Sequence, residues 1–259
     1  MYHTHTAHPA QPRRKSLLLV AFIAFGGSLL AQEPVEAPQD DDAIESTLSR
    51  ANDPLEGVNR AVFGFNRGLT KYALKPLSRG YEFVIPRPVR RGLDNAFDNV
   101  RFPVRFVGSL LQGKVRRATR ETGRFVVNTV VGVGGLFKVS DRMPALATPP
   151  AEDVGQALAA WRLPSGPYLV LPVFGPSTPR DFLGRAADFA LTPTHWDTLN
   201  VGNREWISSD YRGVVQAMEF ISGLPAIVRA QDEMTQAALD PYVALREAYL
   251  AHRAAELSR

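Results

Sequence analysis

Apolar side chains recur every three or four positions between Leu55 and Tyr72: Leu55, Val58, Val62, Phe65, Leu69 and Tyr72. That period places them on one face of a helix. Gly57, Ala61, Gly64 and Gly68 follow the same spacing on a neighbouring face. Small residues so spaced let a second backbone come close. Glycine inside a helix costs about 1 kcal/mol against alanine, so something should offset it: either an ordinary helix–helix contact in a core or a helix packed in or beside lipid. Three helix starts share one device, a capping residue followed by proline: Asp53-Pro54 with Glu56, Thr178-Pro179 with Asp181, and Asp240-Pro241. The cap oxygen accepts from a free N–H, and proline at the first position has none to satisfy. Further helical patterns cover about 88–99, 103–128, 152–161 and 205–221. Only "GPYLVLPVFGP" (166–176) reads as extended. Pro172 and the bracketing Gly-Pro pairs suit an edge or an irregular hairpin. The expected fold class is mainly α, a single helical domain with one short extended or hairpin segment.

The first fifty residues follow another pattern. Arg13, Arg14 and Lys15 precede an uncharged run, Ser16 to Ala31, rich in Leu, Phe, Val and Ala. It is shorter than the roughly 18–20 residues that span a bilayer, and it carries the flank of a secretory signal. Residues 1–31 are expected to be a signal peptide cleaved after Ala31. The rival is an uncleaved inner-membrane anchor, since Leu29 is bulky for the −3 position. Residues 32–50, opening "QEPVEAPQDDD", are acidic and contain proline, as a flexible linker does. Residues 51–259 show no second linker and no internal repeat, and are expected to form one domain.

Of 259 residues, 45% are hydrophobic, enough for a real core. The chain has no cysteine, which excludes disulfides, thiol catalysis and thiolate metal ligation. The net charge of +4 is unevenly placed: residues 50–124 hold 16 basic and 6 acidic side chains, residues 125–259 hold 11 and 14. In an exported protein this basic block points to phosphate head groups of a membrane rather than to nucleic acid.

The block peaks in "RFPVRFVGSLLQGKVRRATRETGRFVVNTVVGVGGLF" (101–137). Bulky apolar residues flank Lys114, Arg116, Arg117, Arg120 and Arg124, with Arg116, Arg120 and Arg124 at helical spacing. This is either an interfacial helix, its cations on phosphates and its apolar face among acyl chains, or the solvated basic face of a soluble helix. "VGVGGLF" (131–137) fails the dinucleotide fingerprint, since Phe137 stands where Gly or Ala is needed, and it is no P-loop. It reads either as a helix C-terminus with left-handed glycine or as a hinge beside an apolar channel. Catalytic signals are weak. His195 and His252 make no metal-binding pair, and no G-x-S-x-G elbow is present. A triad of His195, Asp197 and some serine would have to assemble in space. Glu152-Asp153 either binds a cation or complements a helix dipole. Trp161, Trp196, Trp206, Tyr168, Tyr211, Tyr242 and Tyr249 belong either to an interfacial aromatic belt or to the core. No cofactor, metal or enzyme activity is expected.

Four stretches taken together resemble the MlaA/VacJ family of outer-membrane phospholipid-transport lipoproteins: "DPLEGVNRAVFGFN" (53–66), "RFVVNTVVGVGGLF" (124–137), "EDVGQALAAWRLPSGPYLVLPVFGPSTPRD" (152–181) and "DPYVALREAYLAHR" (240–253). The resemblance spans about Asn52 to Arg253. It implies a ring-like helical arrangement in the inner leaflet of the outer membrane, with an amphipathic channel. Misplaced phospholipid would leave the outer leaflet through that channel and pass to a soluble periplasmic carrier, beside a trimeric porin. It implies no chemistry on the lipid. On matching positions, Phe63, Phe65 and Asn66 belong to the first-helix segment near the ring. Gly132, Gly134, Gly135, Leu136 and Phe137 belong to the Gly-rich segment that borders the channel. The expected location is the periplasmic side of the outer membrane. The alternative is a structural, porin-associated envelope protein that moves no lipid; a lipid-modifying hydrolase is a third, weaker reading. Two departures stand out. Gln32 occupies the place of the family's lipid-bearing cysteine, and Lys138 follows the Gly-rich segment where relatives carry an acidic residue. The folded domain itself is therefore expected to hold the membrane.

Overall fold

Asp53 starts the first helix from outside it. Its Oδ1 accepts the N–H of Leu55 at 3.1 Å, and α1 runs Glu56–Leu69. The computed structural model describes residues 53–199, 201–203 and 207–258. The signal and linker readings, and Trp206, lie outside the described residues. A π-helical turn, Thr70–Leu74, carries α1 into α2, Lys75–Val84. Then come α3 (Arg87–Val100), α4 (Phe102–Leu111) and α5 (Val115–Val130). Short 3-10 turns at Val139–Arg142 and Pro144–Leu146 lead to α6, Val154–Ala160. A two-stranded antiparallel hairpin follows, β1 (Leu169–Leu171) and β2 (Gly175–Ser177). The chain closes with α7 (Pro179–Leu191), a 3-10 turn at Pro193–His195, α8 (Ser209–Ala237) and α9 (Pro241–Leu257). The fold is mainly α, as the sequence pattern predicts.

The predicted caps at the later starts are in place. Thr178 accepts from the Asp181 N–H, and Asp240 from those of Tyr242 and Val243. Asp153 caps α6 by accepting from Gln156 N–H at 2.6 Å. The helix expected over 103–128 is two helices. Gly113 adopts φ +72° and turns the chain between α4 and α5, a conformation glycine enters without penalty. The helix expected over 205–221 continues to Ala237, through Pro225.

Contacts between elements close a circuit. α1 passes through the π-turn to α2, α2 touches α8, α8 touches α3, and α3 leads to α4. α4 packs on α6, α6 on α9, α9 on β2, and β1 returns to α1. α6 also lies against α7, where a Cβ on Gly184 would sit 2.4 Å from Gly155 Cα. No larger residue fits at that crossing without moving a helix.

The last link of the circuit is made by side chains. Asn59 donates to the Tyr168 carbonyl at 3.1 Å and accepts from Val170 N–H at 2.8 Å. Asn66 donates to the Leu171 carbonyl at 2.9 Å and accepts from Val173 N–H at 2.6 Å. A core of Phe63, Tyr168, Val170, Tyr242 and Tyr249 seals the joint. Tyr242 packs edge-on to Phe63, and its hydroxyl donates to Asp53. Asn59→Ala leaves a buried carbonyl and N–H unpaired, which costs about 1–3 kcal/mol. Asn59→Ala and Asn66→Ala should each lower the unfolding midpoint in detergent solution, and Asn59, which is 1% exposed, should have the larger effect. Denaturant titration of the two variants against the parent checks this.

Candidate functional site

Packed side chains usually follow a one-way rule, with apolar groups inside and charges outside. Here both departures from it, buried polar groups and exposed large apolar ones, are frequent. Among the described residues, 25 buried side chains are polar or charged and 11 are hydrophobic, while 27 large hydrophobic residues are exposed. Along α1 and the π-turn the inward positions include Asn59, Phe63 and Thr70, and the outward ones Val58, Phe65 and Tyr72. On α5, Glu121, Arg124 and Asn128 point in, and Val126 and Val130 point out. Phe83, at the end of α2, is 92% exposed. A Cβ on Gly57, Gly64 or Gly68 would meet nothing within 4 Å, so the small-residue face of α1 is open rather than buried in a core. Among the described residues no helix is long and apolar enough to cross a membrane.

The interior is held by charge. Arg105 donates to Glu121 at 2.8 Å and to Asp98 at 3.0 Å, and Lys138 pairs with Asp98 at 2.9 Å. Burial works against ionised Asp98, but the Arg105 and Lys138 cations outweigh it and hold its pKa below the usual carboxylate range. Arg101 reaches Glu219 at 3.2 Å. At the opposite side Arg253 grips Asp181 with two nitrogens, at 3.1 and 2.9 Å, and also reaches Asp153 and Glu256 at 2.8 and 2.7 Å. The Tyr249 hydroxyl donates to Asp181 as well. Burial raises Asp181, yet Arg253 and Tyr249 bring it down to about 2. Asp188 has no such partner. Burial and the nearby Asp153 charge push it up to about 7, although it accepts the Val154 N–H at 3.1 Å.

Between α1, the π-turn, the hairpin, α8 and the start of α9 lies an apolar cavity. Phe63, Leu69, Val170, Phe174, Phe220 and Ile227 are among its walls, and Asn66 and Thr70 are also in its lining. Its hairpin wall is strained: Val173 adopts φ +70°, a conformation rare for a β-branched residue. The Asn66 amide holds the Val173 N–H in that position.

The structure divides the residues singled out from sequence. Phe63 and Asn66 line the cavity, while Phe65 is 57% exposed on the outer face. Gly132 to Phe137 form the turn that ends α5 and pack on α3, away from that cavity: Asn95 donates to the Leu136 carbonyl at 3.1 Å, and Gly135, at φ +92°, rests on Asn99. A Cβ on Gly132 would lie 2.1 Å from the Phe137 carbonyl oxygen, so this turn is built tight. Phe137 itself is 63% exposed.

The structure also divides the five basic candidates. Lys114 pairs with Glu152 at 2.9 Å, and Arg117 donates to the same carboxylate. Arg124 is buried, donating to Asp141 and to the Leu146 carbonyl, each at 2.6 Å. Internal carboxylates thus take three of the five cations, and only Arg116 and Arg120 are exposed. Glu152 acts as an internal counterion, and Asp153 as cap and ion-pair partner. Tyr168, Tyr242 and Tyr249 are core; Trp161 and Tyr211 are exposed at 58% and 66%. His195 stacks on Phe189, its Nδ1 on the Phe189 carbonyl at 3.2 Å, and Asp197 receives the Ile207 N–H at 2.8 Å. Sequence reasoning missed Asn59, although it stands seven residues before Asn66 on the same face. It also missed the α8 wall of the cavity.

A family model described as MlaA lipoprotein matches residues 51–256. The chain belongs to this family. The intermembrane phospholipid transport system lipoprotein MlaA of Haemophilus influenzae is 29% identical over 207 residues, covering 78% of each chain. Its namesake in Escherichia coli K12 is 30% identical over 200 residues, covering 76% of this chain and 75% of its own. An uncharacterized protein of Rickettsia felis is 33% identical over 207 residues, covering 80% and 77%. A solved structure described as "Structural basis for maintenance of bacterial outer membrane lipid asymmetry" is similar at TM-score 0.61 and 32% identity, over 80% of this chain and 99% of that one. In this MlaA-family chain the buried polar groups, the exposed apolar ones and the apolar cavity belong to the region that the family model matches.

The pH dependence of stability follows from Asp188. Its raised pKa favours the protonated form in the folded state, so its contribution is fully present below about pH 4 and is lost as pH rises through about 7. Asp188→Asn keeps an acceptor for the Val154 N–H but never ionises. The variant should match the parent near pH 4 and exceed it by a few kcal/mol at most near pH 8. Thermal melts of both proteins in one detergent across this range give the difference.

Proposed function

We propose that this domain lies in one leaflet of the outer membrane and is a non-enzymatic part of a phospholipid transport system. Phospholipid misplaced in the outer leaflet would pass through an amphipathic path in the domain to a soluble periplasmic carrier, keeping the membrane asymmetric. The observation that carries this reading is the frequency of exposed large apolar and buried polar side chains. An exterior with 27 large exposed hydrophobics suits acyl chains, and a charged interior suits a head group crossing among them. No bilayer-spanning helix is needed for a body that sits in one leaflet. The names of the H. influenzae and E. coli relatives agree with such a role.

The open glycine face of α1 favours a second element in the same proposal. Gly57, Gly64 and Gly68 leave room for a close-packed neighbour, and a trimeric porin fits that place. If that contact were the whole function, the protein would support the envelope and move no lipid.

Deletion of the gene in its host separates the two. Transport predicts phospholipid accumulating in the outer leaflet, read by an enzyme that modifies only surface-exposed lipid, with restoration by the intact gene. Normal asymmetry after deletion leaves only the structural role. Phe65→Asp, which sets a charge on the outward face of α1, should restore asymmetry poorly while Arg120→Gln restores it fully. A charge facing lipid costs roughly 2.5–3.5 kcal/mol at the bilayer centre, so Phe65→Asp should also wash from membranes with carbonate more readily than the parent.

A further inference from the structure

We infer that the cavity between α1, the hairpin and α8 binds one unbranched acyl chain, with an anionic head group placed at Lys75. The inference rests on the transport reading above and names what one part of the path holds. Three observations meet here. The first is the lining. Leu69, Leu74, Val173, Phe174, Phe220 and Ile227 present hydrocarbon, and no lining residue is ionisable. Asn66, whose amide could otherwise bind a head group, spends its carbonyl and its NH2 on the hairpin. The cavity therefore accepts a tail and rejects a head group.

The second is size. The cavity volume is about 100 Å³. That is smaller than the roughly 150 Å³ that holds one benzene ring. A slot of this size suits one flexible chain rather than a rigid polycycle.

The third is an ion pair next in sequence to the lining. Lys75 donates to Asp232 at 2.5 Å, linking the start of α2 to α8. Each is the chain neighbour of a lining residue, Leu74 and Gln231. Both ions are partly exposed, 28% and 35%, so the pair forms without full desolvation and an incoming phosphate can displace the carboxylate. The π-helical turn that carries Thr70 and Leu74 into the lining is itself a device found frequently at functional sites. A phosphate on Lys75 would hold the head group there while the chain fills the slot.

The test uses the full chain in a bile-salt detergent, whose rigid rings do not fill a chain-width slot. Phe220→Trp places a fluorophore in the wall, with the parent's own tryptophans as background. The titrant is a lysophosphatidylglycerol whose chain carries two bromines, which quench tryptophan on contact. Saturable quenching at one lipid per protein, absent from the parent, is expected. Adding Ala230→Phe, which fills the slot, should weaken it at least about tenfold, the equivalent of two methylenes denied burial. Lys75→Gln should weaken it about threefold or more, and Lys75→Arg should retain it. Native mass spectrometry of the parent with the same lipid counts bound chains without any substitution. Quenching that never saturates, or that ignores the Ala230→Phe plug, overturns the site, as does a parent that binds no chain in the mass spectrum. A lysine variant with unchanged affinity overturns the head-group assignment. Repeating the titration with a diacyl phosphatidylglycerol brominated on one chain tells the source: saturation there points to phospholipid tails, and saturation by the lyso form alone points to single-chain lipids. The deletion strain separates the two readings. Saturable binding with normal asymmetry after deletion removes the transport reading and leaves the site; failed binding with lost asymmetry removes the site and leaves transport.

Discussion

Two asparagine amides on one helix hold an extended chain as a neighbouring strand would. Asn59 bonds residues 168 and 170, and Asn66 bonds residues 171 and 173. The register works because two periods coincide. Seven helical residues advance about 10.5 Å, and the three residues between the midpoints of the two bonded pairs advance about 10 Å when extended. A hairpin with three-residue strands is too short to be stable alone. Clamped this way, it carries Tyr168 and Val170 into the core and sets Val173 and Phe174 along the cavity. The strain at Val173 persists because the Asn66 oxygen fixes its N–H. Without the clamp, α1 would lose β1, and α9 would lose the hairpin against which it packs.

The polar interior imposes a second constraint. Buried ions are tolerated only when paired and hydrogen-bonded. Arg105 lies between two carboxylates, Glu152 faces two cations, and Arg253 binds three acidic side chains. These pairs satisfy the polar interior beside the core of Phe63, Tyr168, Val170, Tyr242 and Tyr249, while many apolar residues face outward. An exterior of that kind is unfavourable in water and favourable among acyl chains.

What was legible in the sequence was local. The caps at Thr178 and Asp240 depend on three or four consecutive residues, and the hairpin on Pro172 between Gly-Pro pairs. The two faces of α1 were also visible, since periodicity reports that a helix has an apolar side. It does not report which side points inward, and the usual assumption that apolar means buried fails here for Val58, Phe65 and Val130. Periodicity carries a helix through Gly113 because one glycine shifts the local balance by only about 1 kcal/mol. The basic run 114–124 looked like a surface because its counterions, Asp141 and Glu152, stand 17 to 38 positions away, and spacing cannot assign partners over that range. The 72-residue separation of Asp181 and Arg253 hides their pairing for the same reason. The α8 wall was missed because α8 spreads its apolar residues around its circumference and carries Pro225 inside it. The family resemblance covers the α1, hairpin and α9 parts of the cavity but not its π-turn and α8 walls, and it could not say that Phe63 and the Gly-rich turn would lie apart.

The circuit of contacts has a consequence for the order in which the chain is made. α9 follows every other described element, yet it joins β2 to α6, and its Arg253 ties three acidic groups together. A chain delivered from its N-terminus would expose the outward faces of α1 and α5 long before α9 arrived to close the loop. Closure between parts so far apart in sequence is slow, and apolar surface left waiting invites aggregation. Delivery of this domain thus poses a traffic problem: until its final helix emerges, the chain needs an escort or a lipid surface to keep it from its own kind.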